Sequence, residues 1–281
     1  MTSQTSIYKT PEGERLIMGI YDDFLKRWPV PADHLTIETR HGSTFALASG
    51  DPTAAPLILL HGAGTNSMMW GADVSKYSAG HRVYAVDLLG EPGKSAQNRP
   101  AWEGPAYAEW IEDVLNGLSI DKARFVGLSQ GGWTALKFAT RWPERVEKLA
   151  LLTPGGVVPD KLSFLAKTVF YMMLGAGGLK RMNQMLYADQ PIPEGVTEIT
   201  SVMMRNFNSQ MGTLPLFTDD ELRRLTMPTL LLVGSKDALR DGEKIAARLR
   251  QFVPQLTARI IPGGGHALLN TVDTVMQFLS T

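Results

Sequence analysis

Short apolar runs recur along the chain, at residues 57–60, 83–86, 125–128, 149–152, 230–233 and 258–261, the last of them carrying Arg259. A strand with one wet face alternates apolar and polar residues, whereas a strand covered on both faces reads as a continuous run. The six runs therefore predict strands of a parallel sheet. Segments of helical length separate most of them, at 69–78, 105–118, 130–141, 242–252 and 267–279. That alternation predicts an α/β fold, a mostly parallel central sheet with helices on both faces. Ahead of it, 12–28 reads as an amphipathic helix stopped by Pro29 and Pro31. The runs LTIET and STFALAS, joined at Arg40-His41-Gly42, read as a β-hairpin.

The alternation breaks once, after the sixth predicted strand. Residues 155–215 predict a helical insertion that divides the core domain into 1–154 and 216–281. The insertion holds seven of the chain's 13 methionines: Met172, Met173, Met182, Met185, Met203, Met204 and Met211. Methionine fills irregular apolar gaps, so Met172, Met173 and Met203 are expected to line a substrate pocket, with a second small core as the other reading. Within the insertion, Leu162, Leu165, Ala166, Val169, Phe170, Met173 and Leu174 fall on one helical stripe. The stripe predicts an amphipathic helix that covers something apolar. Lys167 and the glycines of 162–179 argue against a membrane span.

Composition narrows the chemistry. The 28 Lys and Arg balance the 28 Asp and Glu, so the whole chain exerts no long-range pull on nucleic acid or on an anionic membrane surface. The absence of cysteine excludes disulfides, thiolate catalysis and cysteine-held metals. The opening MTSQTSIYKTPEGE has no apolar stretch of the signal-peptide kind, which predicts a cytoplasmic location. Gly93-Lys94-Ser95 ends like a phosphate-binding loop, but Leu88 stands where that motif needs its first glycine.

The strongest chemical signal is Gly127-Leu128-Ser129-Gln130-Gly131, a G-x-S-x-G between a predicted strand and a predicted helix. In that setting a serine sits on a tight turn with its hydroxyl exposed above the sheet edge. A serine nucleophile needs a base, and the base an orienting acid. Five histidines are available. His34, His41 and His81 are expected in solvated surface loops, and His61 to brace its own loop. His266 follows Pro262-Gly263-Gly264-Gly265 after the last strand, and is the expected base. Asp237, directly after the strand at 230–233, is the expected acid. Asp241 is the competitor, expected instead to cap the helix at 242–252. The oxyanion of an acyl-transfer intermediate would be met by the backbone N–H of Gln130 and of Ala63, the latter in His61-Gly62-Ala63-Gly64.

Taken in this order along the chain, these features resemble the α/β-hydrolase family from about Leu35 onward, and within it bacterial carboxylesterases. The resemblance implies that the insertion after Thr153 is a cap, and that Asp87, Gly90, Gly93 and Ser95 of DLLGEPGKS shape the active-site rim. It implies a serine hydrolase that cleaves small to medium uncharged carboxylic esters, with no metal and no other cofactor. The expected partner is a small-molecule ester, with no nucleic acid. Carbon–carbon, lactone or aminoacyl hydrolysis and perhydrolase activity share the same triad. A ligand-binding protein without turnover is the reading from another class.

Overall fold

The computed structural model describes residues 6–210 and 212–281; the side chains of Met172 and Ala176 lie outside that description, as does all of Met211. Helix α1 (Pro11–Leu25) is capped by the Thr10 hydroxyl, which accepts from the Gly13 N–H. The hairpin β1 (Ala32–Ile37) and β2 (Thr44–Ser49) leads into β3 (Pro56–Leu60), α2 (Val74–Ser78), β4 (Arg82–Val86), α3 (Ala106–Gly117), β5 (Ala123–Leu128), α4 (Gln130–Arg141) and β6 (Val146–Leu152). Three helices follow: α5 (Leu162–Met173), α6 (Gly175–Tyr187) and α7 (Val196–Asn206). The chain closes with α8 (Asp219–Arg223), β7 (Thr229–Gly234), α9 (Gly242–Phe252), β8 (Leu256–Ile261) and α10 (Val272–Ser280).

The eight strands form one sheet in the order β1-β2-β4-β3-β5-β6-β7-β8. Pairing is antiparallel at β1/β2 and β2/β4 and parallel from there on. The runs on β3 to β7 divide their side chains between two cores, because successive residues of a strand point to opposite faces. Edge strand β8 instead packs Ala258 and Ile260 against one core and leaves Thr257 and Arg259 exposed. Ile58, Leu60, Phe125, Leu149, Leu151 and Leu231 enter the core under α3, α4 and α9. Leu57, Leu59, Val126, Ala150, Leu152 and Leu230 enter the core under α1, α2 and α10. All six runs predicted as strands are strands.

Two predicted helices are shorter than expected. Segment 69–78 splits into a 3-10 turn at Ser67–Trp70 and α2; the Phe24 ring fills the space a side chain at Gly71 would need. Segment 267–279 becomes helical only at Val272, because Asn270 sits at φ +55°.

The larger correction concerns α5. Its predicted apolar stripe faces outward: Leu162 and Met173 are 81% exposed, Val169 62% and Phe170 56%. The half-buried side is instead Phe164, Thr168 and Tyr171. Helix α5 packs along α6, and a Cβ on Gly178 of α6 would overlap the Tyr171 carbonyl oxygen. Among the described residues, no helix is long and apolar enough to cross a membrane.

Candidate active site

Parallel strands all release their C-terminal ends at one edge of the sheet, where the loops of an α/β fold gather ligands. At that edge the chain turns from β5 into α4 through Ser129, at φ +51° and ψ −108°. Such a conformation is strained for a residue with a side chain and persists only where its surroundings impose it. Two glycines make the turn possible. A Cβ on Gly127 would stand 2.6 Å from the Gly131 carbonyl oxygen, and one on Gly131 would overlap the Leu60 carbonyl oxygen of β3. The Ser129 N–H donates to the Leu152 carbonyl at 2.9 Å. Ser129 is 9% exposed, so its hydroxyl is shielded yet reachable.

His266 Nε2 lies 2.9 Å from Ser129 Oγ, and His266 Nδ1 lies 2.9 Å from Asp237 Oδ2. The carboxylate opposite Nδ1 assigns the proton to that nitrogen, which leaves Nε2 free to accept from the serine hydroxyl. Asp237 Oδ1 accepts from the Leu239 N–H at 2.7 Å and the Arg240 N–H at 3.0 Å. Burial pushes the Asp237 carboxyl up. The hydrogen bond and charge of His266, with the two backbone donors, outweigh that and hold it below the ordinary carboxylate range. Asp241 plays a different part. Its side chain accepts from the Lys244 N–H at 3.2 Å and caps α9.

The two proposed oxyanion donors flank the serine. Gln130 is the first residue of α4, where backbone N–H groups have no partner within the helix. The loop after β3 passes close by, and a Cβ on Gly62 would lie 3.8 Å from Ser129 Cβ. That loop is braced by His61, whose Nδ1–H donates to the Gly62 carbonyl at 2.8 Å while Nε2 accepts from the Leu88 N–H at 2.9 Å. Burial pushes the His61 imidazolium down, consistent with a neutral ring that accepts at Nε2.

The DLLGEPGKS segment is tied into the same edge. Buried Asp87 accepts at Oδ1 from the Tyr21 hydroxyl at 3.0 Å and the Ser67 N–H at 2.8 Å, and at Oδ2 from the Lys94 N–H at 2.8 Å. The Ser95 hydroxyl donates to the Asp87 carbonyl at 2.6 Å, and Lys94 reaches Asp22 at 2.5 Å. These groups hold a loop together with their own hydrogen bonds and ion pair.

Four residues that the sequence did not single out stand around this centre. Buried Glu91 accepts from the Gly64 N–H at 2.6 Å, and so holds the loop that carries Ala63. Burial pushes Glu91 up to about 7, against the opposing pull of the Gly64 N–H, the Gln130 side-chain amide and the Arg99 charge. The Gln130 amide makes no complete hydrogen bond there, since its Nε2 is buried without a partner. Buried Arg240 brings Nη1 to 3.4 Å from Ser129 Oγ and places Nε 2.7 Å from Asp160 Oδ1. Thr153, at φ +43°, donates from its hydroxyl to the His266 carbonyl at 3.1 Å. Lys161 donates from Nζ to the Asp237 carbonyl at 2.6 Å. A glutamate, an arginine, a threonine and a lysine in loops have no periodic or motif signal; only the folded chain shows what they reach.

The remaining expectations divide. His34 is exposed but lies on β1. His81 is buried, with Nδ1 3.2 Å from the Tyr77 carbonyl and Nε2 2.9 Å from Arg124 Nη1, because the chain ahead of β4 is covered and not solvated. Met203 is buried in the same core as Ile7, Tyr8 and Phe207, and Met173 faces outward; the Met172 side chain is outside the described residues. Two surface hollows, one lined by Val30, Asp33 and Arg82 and the other by Lys137, Arg141 and Glu221, contain none of Ser129, Asp237 or His266.

Comparison with known proteins places the chain among hydrolases of this fold. Residues 57–275 match the alpha/beta hydrolase family. The chain is 34% identical to a Bacillus subtilis (strain 168) protein named uncharacterized carboxylesterase nap, over 88% of this chain and 85% of that one. It is 30% identical to carboxylesterase YbfK of the same strain, over 88% of this chain and 86% of that one. The crystal structure of naproxen esterase from Bacillus subtilis superposes with a TM-score of 0.84 at 31% identity, covering 96% of this chain and 99% of that one.

Proposed function

The chain belongs to the alpha/beta hydrolase family, and from that premise we propose that it is a serine esterase acting on small to medium uncharged carboxylic esters. One observation carries the reading. A serine on a strained turn, an imidazole and a buried carboxylate stand in line, at 2.9 Å and 2.9 Å. The relatives named as carboxylesterases support the class of reaction.

In the proposed cycle, Ser129 Oγ attacks the ester carbonyl carbon while its proton passes to His266 Nε2. Asp237 keeps the other nitrogen protonated and stabilises the imidazolium. The carbonyl oxygen gains a negative charge, which the N–H groups of Gln130 and Ala63 would receive. As the C–O bond breaks, His266 returns the proton to the departing alcohol and the acyl group stays on Ser129. Water then attacks the acyl carbon with His266 again as base; the acid leaves and the serine hydroxyl is restored. No step requires a metal or a cofactor.

The preference for uncharged substrates rests on Arg240. This buried cation beside the serine is already balanced by Asp160, so it is not an unpaired charge awaiting an anionic group. In the same reading, segment 155–215 serves as the cap over the site. Support comes from its contacts with the residue that follows the base: the Ala267 N–H donates to the Leu186 carbonyl at 2.9 Å, and Gln190 Nε2 donates to the Ala267 carbonyl at 2.8 Å.

The test is a fluorophosphonate probe together with p-nitrophenyl esters from acetate to palmitate, run beside Ser129→Ala. Stoichiometric labelling at Ser129 and a kcat/KM maximum at short or medium chains are expected. No labelling of folded protein would favour a binding protein. Faster turnover of an aminoacyl amide or a lactone than of any simple ester would move the reading to those substrates.

A further inference from the structure

Among the described residues, eight large apolar side chains are exposed, and six of them lie on α5 and its C-terminal cap: Leu162, Leu165, Val169, Phe170, Met173 and Leu174. Single exposed apolar residues are ordinary; a contiguous set marks a contact surface. The six residues of its apolar stripe meet solvent, while the half-buried side holds Phe164, Tyr171 and Thr168, whose hydroxyl is buried without a hydrogen-bond partner. Burial of Phe164 and Tyr171 accounts for the inward side, but the larger apolar stripe gains nothing from water.

Charge identifies what covers it. No acidic residue occurs between Asp160 and Asp189, whereas Lys167, Lys180 and Arg181 are all exposed there. The two flanking acids are paired, Asp160 with Arg240 and Asp189 with Lys236. The neutral whole chain thus carries a local surface that is apolar and cationic, the combination that lies flat in the interface of an anionic bilayer. A second copy of the chain fits less well. A symmetric contact through this face would set each cation against its own counterpart, whereas anionic headgroups neutralise them. We propose that α5, with the cations of α5 and α6, docks the protein on an anionic lipid surface.

Vesicle binding is measured without turnover, so its outcome is separate from the ester reading. In flotation with phosphatidylcholine vesicles containing about 30% phosphatidylglycerol, the protein is expected to rise with the lipid, with affinity roughly tenfold or more weaker on phosphatidylcholine alone. L162D/V169D should lower binding by roughly tenfold or more, while turnover of a soluble ester and the thermal midpoint stay as in the parent. K167E/K180E leaves the apolar stripe intact and should cost a comparable factor on anionic vesicles, which keeps the test open if the first variant misfolds. Three results would overturn the proposal. They are no flotation with anionic vesicles, binding that survives both variants, or a dimer in sedimentation velocity that L162D/V169D abolishes in a protein that ignores lipid.

Discussion

Replacing Glu91 with Gln tests the electrostatics behind the loop proposed to supply an oxyanion donor, and the magnitude can be worked from the structure. Unfolded, this carboxyl titrates at its ordinary 4.5; folded, burial raises it to about 7. Between those values the unfolded chain ionises Glu91 while the native chain keeps it protonated. The stability it contributes is therefore complete below 4.5, falls as pH rises through the window, and is lost above about 7. At about 1.4 kcal/mol per pH unit the loss is roughly 3 kcal/mol. Glutamine keeps an oxygen acceptor for the Gly64 N–H but has no proton to release. Relative to the parent, Glu91→Gln should thus gain about 3 kcal/mol between pH 4.5 and 8. Urea midpoints for both proteins at several pH values supply the comparison, because every other titrating group cancels in the difference. Turnover should change little while Gly64 keeps its acceptor. A stability difference that is flat with pH, or that favours the parent as pH rises, would refute the burial argument for Glu91.

Ser129→Ala should lower kcat on the best ester by about 10⁵–10⁶ with an unchanged thermal midpoint; a residual rate within a hundredfold of the parent would mean another nucleophile. Asp237→Asn should lower kcat by about 10⁴ by favouring the wrong tautomer of His266. Asp241→Asn should leave kcat within a few-fold and change stability by at most about 1 kcal/mol through its cap on α9; the reverse order of severity in steady-state assays would exchange the two roles. Arg240→Met leaves Asp160 without its partner, and should lower stability by about 3 kcal/mol in denaturant titrations. A neutral effect there would show that the Asp160 carboxylate is already satisfied by solvent.

What the sequence revealed and what it hid follow one physical division. A strand buried on both faces must be apolar at every position, so the runs at 57–60, 125–128 and 230–233 identify themselves without reference to anything distant. Ser129 is legible for a similar reason, since the backbone of its turn excludes side chains at Gly127 and Gly131, and that exclusion is written as glycine. Asp237 and His266 follow once strand ends are known, because loops at one sheet edge must meet. Glu91 and Arg240 had no such local constraint. Their roles depend on partners 27 and 111 residues away, and nothing in the residues around them requires that encounter. Helix α5 lies between these cases. Its 3.6-residue period established a stripe correctly, but a period is blind to which side of the helix meets protein. The assumption that an apolar stripe turns inward holds only while the chain itself is the sole apolar partner available. On α5 that assumption fails: Phe164, Thr168 and Tyr171 take the inward side, and the six exposed apolar residues of the stripe are left for a partner outside the chain.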